Sequence, residues 1–389
     1  MKFNPRLFFI FASLAPLSSC NPSLETIEKV ALDYGTVRFD EDEVNADSKS
    51  QMEQIDLGEL NDKIQSKDNF VLLLGSNFDC GCWTTFHDEI LAPYLLDHHI
   101  YLPWIPYEEG SARLGELGAE LTKSGQTLMI FQNGEIAYQH TTTESNSSWA
   151  EDSKTFRSWM NARIEEPRLL TISKAQLDAK YAKSGEDFSV LFSRSSCPDC
   201  SFLEKNDIKE YFSAHIIEGG KIPDNYLYLL DCDAVGIRKV LGEDGKTYSP
   251  SSNENANAYE KQAYAQWKAF KEEYGLSYSE ANLAGWDEGY VPTIFHIHPN
   301  GKDKTGSVID YSGVFYNEEI DEGTHLIKTS YFDGARLQSE ELCSLDYLKD
   351  SSLEHKNLVG LSLDASLSKH QALQVYEKPI LNLLLDAIL

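Results

Sequence analysis

Positive charge is scarce in this chain of 389 residues. Lys and Arg total 34 against 62 Asp and Glu, which leaves a formal net charge of −28 at pH 7. Nucleic acids and anionic membrane surfaces attract basic proteins, so this balance argues against both as partners of the folded chain. The hydrophobic content of 41% is enough for ordinary protein cores. The length predicts two or three domains.

Long apolar runs are also missing, apart from a short one near the N-terminus. A membrane-spanning helix needs about 20 apolar residues, and no segment of the sequence reaches that length. Lys2 and Arg6 precede the apolar run Leu7–Ala12, and the sequence Leu-Ser-Ser-Cys follows at Leu17–Cys20. A charged start, a short apolar core and small residues before a cleavage point predict a secretory signal peptide at residues 1–19.

The end of this segment resembles the lipobox of bacterial lipoproteins, with Cys20 at the position that becomes lipidated. The resemblance implies cleavage before Cys20 and a diacylglycerol anchor with palmitate-type chains on its sulfur. A plain signal peptide and an uncleaved anchor are the alternatives. We expect the mature protein on the extracytoplasmic face of the cell membrane, with residues 20–54 forming an acidic, solvated tether. In an alternative interpretation, Val30–Phe39 adds a strand to the first domain.

Cysteine is sparse for a chain of this length, which excludes a small fold held together by disulfides. The sequence contains seven: Cys20, Cys80, Cys82, Cys197, Cys200, Cys232 and Cys343. Without the lipidated residue six remain, an even number in a compartment that permits disulfides. Such a set indicates redox chemistry, with or without one structural bridge. Cys232 and Cys343 are either bridged to each other or two separate thiols.

The segment Phe188–Cys200 carries the strongest functional signal. Its apolar residues Val190–Phe192 predict a short buried strand, and Ser201–Ala214 has apolar residues at helical spacing. Between them lies the sequence Cys-Pro-Asp-Cys, at the start of the predicted helix. The N-terminus of a helix favours a thiolate, so Cys197 is the predicted nucleophile. Cys200, one turn inside the helix, is the predicted resolving thiol.

A strand, a Cys-x-x-Cys motif and a helix in this order resemble the redox centre of the thioredoxin superfamily. Half of a zinc site is the alternative, but no second Cys or His pair with close spacing accompanies it. The superfamily places a cis-proline before a strand that faces the dithiol, and Pro292 matches it by pattern. The resemblance implies that Pro292 and the backbone beside it hold a substrate strand by β-type pairing.

The same pattern occurs twice. The segment Phe70–Cys82 lies 118 residues before Phe188–Cys200, and both combine an apolar strand, a cysteine pair and an amphipathic helix. Downstream of Cys82, strands, helices and a turn predict the order βαβαββα. The resemblance implies an α/β fold with two tandem thioredoxin-like domains, each a central mixed sheet flanked by helices, at residues 55–166 and 167–389.

The first copy departs from the active pattern. Its cysteines form the sequence Cys80-Gly-Cys82, and Gln126 stands where a cis-proline would precede the strand. A Cys-x-Cys disulfide closes a small, strained ring that is easily reduced. Three interpretations are open. They are a second redox centre that exchanges electrons with the other pair, a passive disulfide in a structural domain, and a copper or zinc site completed by His87.

The second copy is longer because of an insertion at about residues 236–288. Four aromatic residues of the insertion follow helical spacing: Tyr264, Trp267, Phe270 and Tyr274. They predict a helix with an aromatic stripe, which either packs on its own domain or forms a lid over the dithiol. His296 and His298 alternate with apolar residues on a later strand. We interpret them as a surface face and not as metal ligands.

Charges near the second dithiol bear on its direction of electron transfer. Leu191 occupies the strand position where thioredoxins often carry a buried acid that moves protons. Asp199 lies between the cysteines and disfavours the Cys197 thiolate, and Arg194 partly offsets this effect. A less stable thiolate makes a pair less oxidising, so the sequence predicts a reductant or isomerase in preference to an oxidant.

The favoured function is an extracytoplasmic, lipid-anchored bacterial thiol-disulfide oxidoreductase. Cys197, Cys200 and Pro292 are its predicted catalytic residues. Its predicted partners are protein thiols or disulfides and a membrane or extracytoplasmic electron donor. No cofactor and no bound metal are predicted. The alternatives are a binding or scaffold lipoprotein without turnover, and a copper- or zinc-handling protein that uses Cys80 and Cys82.

Overall fold

The computed structural model describes most of the chain. The described residues are 27–36, 51–75, 81–123, 125–142, 152–217, 225–233, 237–277, 289–301, 304, 307–314, 319–321, 326–329, 366 and 378–389. The predicted signal peptide, Cys20, Cys80 and Cys343 lie outside these ranges. For Cys82 only the backbone is described.

Strands and helices occur throughout the described part of the chain. The strands are β1 Val30–Ala31, β2 Gly35–Thr36, β3 Met52–Gln54, β4 Phe70–Gly75, β5 Leu102–Pro106, β6 Thr127–Gln132, β7 Glu135–Thr141, β8 Ile164–Glu165, β9 Leu169–Thr171, β10 Phe188–Ser193, β11 Leu227–Asp231, β12 Val240–Leu241, β13 Thr247–Tyr248, β14 Thr293–His298, β15 Val308–Val314, β16 Glu319–Asp321 and β17 Leu326–Thr329. The α-helices are α1 Leu57–Gln65, α2 Gly81–Phe86, α3 Ala92–Asp97, α4 Tyr107–Glu116, α5 Ser153–Asn161, α6 Lys174–Ala182, α7 Pro198–Phe202, α8 Lys209–Ile217, α9 Ala258–Glu273 and α10 Lys378–Ile388. Two π-helical segments are His87–Leu91 and Leu203–Ile208.

Two mixed sheets repeat one strand order. The first runs β3-β5-β4-β6-β7, and the second runs β2-β9-β11-β10-β14-β15. Each central strand has a parallel neighbour on one side and an antiparallel neighbour on the other. These neighbours are β5 and β6 for β4, and β11 and β14 for β10. The central strands begin 118 residues apart, at Phe70 and Phe188, which is the offset of the sequence repeat.

Both central strands are buried at every position. A strand that is covered on both faces needs apolar residues at successive positions, because neither face meets water. The run Val71–Leu74 in β4 and the run Val190–Phe192 in β10 have this composition, so the prediction of buried strands is confirmed. The loop that follows β10 therefore starts from a rigid, central element of its sheet.

The aromatic helix predicted from the sequence is α9, and its stripe faces its own sheet. Trp267 and Phe270 are buried in the core of the second sheet. The ring of Phe270 lies 6.2 Å from the ring of Phe192 on β10, centre to centre. Tyr264, at the start of the stripe, is 39% exposed. The contacts favour packing on the helix's own domain, the first of the two alternatives.

The segment before the first sheet differs from the solvated tether that the sequence predicts. Strand β1 pairs in parallel with β8, and β2 pairs in parallel with β9 at the edge of the second sheet. The physical reason is the apolar run Val30–Leu32, whose residues are buried. The alternative prediction of a strand here is correct about the strand, but β2 joins the second sheet and not the first.

A buried ion pair attaches this N-terminal segment to the helix that follows the dithiol. Lys209 Nζ lies 2.6 Å from Asp33 Oδ2 and 3.5 Å from Asp68 Oδ1. It also donates to the carbonyl oxygen of Lys67 at 2.6 Å. Burial raises the pKa of Asp33 to about 7, and Lys209 opposes that rise. Lys209 thus joins α8 to two other parts of the chain, because each carboxylate would be costly to bury alone.

Two predicted helices differ from those observed. Within the order βαβαββα, the sequence predicts a helix at about Ala112–Lys123. The observed helix is α4, which begins directly after β5 and ends before Gly118. Gly118 has φ +86°, the left-handed conformation that commonly ends a helix. The helix predicted after the dithiol is interrupted by the π-helical segment Leu203–Ile208. Among the described residues, no helix is both long enough and apolar enough to cross a bilayer.

Candidate active site

The dithiol lies where a central strand leads into a helix. Strand β10 ends at Ser193, and Cys197 is the N-cap residue of α7. Pro198 occupies the first helical position, where its missing N–H leaves no helical hydrogen bond unmade. The backbone N–H of Cys200 donates to the Cys197 sulfur at 3.4 Å. The Cys197 sulfur thus accepts the hydrogen bond that a side-chain oxygen usually accepts at a helix N-terminus.

Two aspartates from the end of β11 hold the loop before the dithiol. Asp231 accepts a hydrogen bond from the backbone N–H of Ser195 at 3.1 Å. Asp233 accepts one from the backbone N–H of Ser196 at 2.7 Å, and it also pairs with Arg238. Hydrogen bonds to a charged acceptor are stronger than neutral ones. The neighbouring strand therefore fixes the conformation of the loop that presents the first cysteine.

The pKa of the Cys197 thiol is lowered to about 6. The main cause is a hydrogen bond from the Cys200 thiol, and the Cys200 backbone N–H and Arg194 add to it, whereas burial opposes it. The expectation that Asp199 leaves Cys197 with a disfavoured thiolate is therefore wrong for the site as a whole. Hydrogen-bond donors around the sulfur outweigh that charge, and the thiolate predominates at pH 7.

We expect iodoacetamide to alkylate Cys197 with a midpoint near pH 6, because the thiolate is the reactive form. Replacing Cys200 with Ala removes the main donor and should move the midpoint toward roughly pH 8.5, the value of an ordinary thiol. Cys200→Ser keeps a hydroxyl donor, so it serves as the matched control with a smaller rise. Peptide mass spectrometry across pH measures the midpoint. An unchanged midpoint in Cys200→Ala would rule out the assigned cause.

A buried acid lies beside the resolving thiol, and the sequence analysis missed it. Glu204 accepts a hydrogen bond from the hydroxyl of Ser193, the last residue of β10. The same hydroxyl faces the Cys200 sulfur and opposes the rise of the Cys200 pKa. The hydrogen bond to Cys197 and burial both raise the pKa of the Cys200 thiol. Ser193 thus connects a thiol that is hard to deprotonate with a carboxyl group.

The environment of Glu204 suits proton transfer at neutral pH. The pKa of Glu204 is raised to about 7, mainly by burial, and the charges of Asp231 and Cys197 contribute to the rise. The Ser193 hydroxyl and Lys205 act in the opposite direction. A carboxyl group that titrates near the working pH is able both to accept a proton and to return it.

A signal for Glu204 was present in the sequence. Residues four apart share a helix face, so an acid four residues after Cys200 falls on the side of the second thiol. The repeat strengthens this prediction, because the first copy has no acid at the equivalent position. Phe86 stands 118 residues before Glu204, and Gly75 stands 118 residues before Ser193. Neither Phe nor Gly has a side chain that carries a proton. The first copy therefore lacks both groups of the relay at these positions.

Pro292 follows a cis peptide bond with Val291, as the resemblance to thioredoxins implies. The next residue, Thr293, pairs with Phe192 near the end of β10. Because β10 and β14 are antiparallel neighbours, Pro292 at the start of β14 lies at the same end of the sheet as the loop from β10 to Cys197. The structure thus brings the predicted catalytic residues to one end of one sheet.

The remaining predicted cysteine sites are only partly described. Cys232 is completely buried between the two loop-holding aspartates, and burial raises its pKa. The cysteines whose side chains are described are all thiols: Cys197, Cys200 and Cys232. Cys232 is a free thiol, which agrees with the alternative of two separate thiols and not with a bridge to Cys343. The lipidation of Cys20 and the role of the Cys80/Cys82 pair involve residues outside that set, so they stay predictions.

Comparison with known proteins yields structural similarity only. No family model matches the sequence, and no curated protein does. Human ERp44 in crystal form I is 14% identical over 65% of this chain and 50% of its own, with a TM-score of 0.29. A putative oxidoreductase with a thioredoxin fold is 12% identical over 26% of this chain and 94% of its own, with a TM-score of 0.21. Full-length ERdj5 is 11% identical over 67% of this chain and 30% of its own, with a TM-score of 0.22.

The chain spans half the length of the ERp44 structure that it matches. One of these structures, the putative oxidoreductase, is described as having a thioredoxin fold. At TM-scores this low, any inference about chemistry depends on the geometry of the site itself.

Proposed function

We propose that this protein is a thiol-disulfide oxidoreductase of the thioredoxin superfamily, with Cys197 as the nucleophile and Cys200 as the resolving thiol. The proposal rests on one observation above all. The Cys197 sulfur caps a helix and receives hydrogen bonds from both the thiol and the backbone N–H of Cys200, which hold its pKa at about 6. A scaffold without turnover has no need of an activated thiolate, and such perturbed groups concentrate at functional sites.

In the reducing direction, the Cys197 thiolate attacks one sulfur of a substrate disulfide. A mixed disulfide forms, and the first substrate thiolate leaves and takes a proton from solvent. Cys200 then passes its proton through Ser193 to Glu204 and attacks the Cys197 sulfur. The second substrate thiolate leaves, the substrate has gained two electrons, and a Cys197–Cys200 disulfide remains. Pro292 and the backbone beside it would hold the substrate strand by β-type pairing.

The direction we propose is reduction or isomerisation. A Cys197 pKa of about 6 lies between the values of thioredoxin, about 7, and DsbA, about 3.5. A more stable thiolate makes a dithiol pair more oxidising. The pair should therefore be somewhat more oxidising than thioredoxin, in the range of an isomerase, and far less oxidising than DsbA.

The reduction potential of the Cys197/Cys200 pair tests this function. We expect a potential between roughly −270 and −180 mV, measured by thiol trapping in glutathione or dithiothreitol buffers. Cys80→Ser and Cys82→Ser in the same chain keep the other pair from contributing. A value near roughly −120 mV would reverse the direction and make the protein an oxidant. A pair that does not titrate would support a scaffold instead of an enzyme.

We further propose that the chain is exported and anchored to the membrane. The lipobox-like sequence supports removal of residues 1–19 and lipidation of Cys20. The two sheets with one strand order support tandem thioredoxin-like domains at residues 55–166 and 167–389, and α9 supports a helical insertion at about 236–288. A membrane or extracytoplasmic donor would return electrons to the dithiol. Release of Cys20→Ser from the membrane fraction of cells expressing it tests the anchor.

A further inference from the structure

We propose that Asp187, His296 and His298 form a binding site for a first-row divalent cation such as zinc, separate from the dithiol. One ligand atom from each side chain lies within 4.8 Å of the other two. Two imidazoles with one carboxylate suit zinc, cobalt or nickel, whereas magnesium and calcium prefer oxygen ligands alone. The sequence pattern favoured a plain surface face because it did not reveal the third group.

The second sheet itself brings the three side chains together. Phe188 pairs with Ile297 in the antiparallel ladder between β10 and β14. Asp187, one residue before β10, consequently comes opposite His298. His296 and His298 are two residues apart on β14, so they point to the same face. Two of the ligands thus lie on β14 and the third directly precedes β10, so the sheet holds their backbones in fixed relative positions.

The tautomer of His296 is the one that a metal ligand needs. Ser189 Oγ donates its single proton to the carbonyl oxygen of Ile388 at 3.2 Å. Its contact of 2.9 Å with His296 Nδ1 must then use a proton from the imidazole. Nδ1 carries the hydrogen, and Nε2 keeps the lone pair that binds a cation. Metal-bound histidines are usually oriented by such a bond from their other nitrogen.

Asp187 and His298 are already in contact and have room to adjust. Asp187 Oδ1 lies 2.7 Å from His298 Nδ1, and the two side chains are 48% and 38% exposed. A carboxylate beside an imidazole either orients that ring as a ligand or joins it on the metal, and both arrangements raise affinity. Rotation of these exposed side chains can bring three ligands to tetrahedral positions, with water as the fourth ligand.

Cobalt(II) and zinc binding to the full chain tests the site. We expect one cobalt ion per chain, with visible d–d absorption and without the thiolate-to-cobalt charge-transfer band that cysteine ligands produce. His298→Gln and Asp187→Asn should each weaken binding by about tenfold or more. Both residues are at the surface, so neither change should prevent folding. Zinc displaces cobalt at such a site, and this displacement reports the zinc affinity.

The matched control is His98→Gln, which removes an imidazole from another histidine–carboxylate pair, His98–Glu166, at 2.5 Å. Its cobalt affinity should equal that of the unchanged chain. Affinity that survives both His298→Gln and Asp187→Asn overturns the proposal. So does a complete lack of binding. A thiolate charge-transfer band that disappears in His87→Gln would place the metal at Cys80 and Cys82 instead. None of these outcomes alters the Cys197/Cys200 potential, so the oxidoreductase proposal is tested separately.

Discussion

Cys200→Ser should trap substrates as mixed disulfides on Cys197, whereas Cys197→Ser should lose thiol-disulfide exchange by roughly a thousandfold or more. The physical reason is that the two sulfurs have different roles, attack on the substrate and release of the substrate. The Cys197 thiolate is stabilised by hydrogen bonds, and only Cys200 is placed to release a bound substrate. Serine lacks a populated alkoxide at neutral pH, so it replaces neither function. Non-reducing electrophoresis and insulin reduction measure the two results.

Cys232→Ala is the matched control for this pair. Cys232 is a buried thiol on the adjacent β11 end, outside the Cys-Pro-Asp-Cys sequence. Its replacement should leave both exchange and trapping unchanged. Mixed disulfides that form equally well in Cys197→Ser and Cys200→Ser would show that the nucleophile has been assigned to the wrong sulfur.

Glu204→Gln should slow release of the mixed disulfide by roughly a hundredfold near neutral pH, which is the lower range of general acid-base effects. Cys200 must lose its proton before it attacks, and its own pKa is raised. With Glu204, the rate should rise as the acid ionises near pH 7 and then level off. With Gln, the rate should keep rising with pH, because ionisation of Cys200 by solvent base becomes limiting. Stopped-flow fluorescence of a labelled mixed disulfide measures this step.

The same substitution should make the protein more stable above pH 7. The pKa of Glu204 is raised from 4.5 to about 7, so between these values the native state binds more protons than the unfolded state. The free energy of unfolding therefore falls as pH rises through that window, by at most roughly 3 kcal/mol for a shift of about 2.5 units. Gln at position 204 is neutral at every pH, so the variant does not lose this stability as the pH rises. Urea unfolding should show a gain at pH 8 that disappears at pH 4.

Activity and stability should thus change in opposite directions, which distinguishes a proton relay from a structural acid. Ser193→Ala should produce part of the kinetic effect, because it removes the connecting hydroxyl but leaves the carboxyl. Phe86→Leu, at the equivalent position of the first copy, is a control for disturbing a helix after a cysteine pair. A loss of stability at both pH values in Glu204→Gln would contradict the relay.

Much of the fold could be predicted from local patterns. The buried strands, the Asn133-Gly134 hairpin turn and the aromatic helix α9 each arise from residues that are close in sequence. The predicted and observed helices differ most at their ends, where a few residues determine whether a helix is capped or continues. Both segments that follow a cysteine pair are helical as predicted, but each contains a π-helical turn. Such turns follow from packing and are not visible in hydrophobic periodicity.

Short stretches of the sequence were enough to predict the cysteine motif, the helix that follows it, the proline before a later strand and the repeated pattern of strands and helices. Each of these features depends on residues that are close in sequence. The groups that surround the cysteine pair come together only when the chain folds. Glu204 reaches Cys200 through Ser193, Lys209 joins the N-terminal segment, and the Asp187 cluster spans two strands. These contacts join residues from separate strands and helices, so their formation depends on sheet register and burial, which no single stretch of sequence specifies.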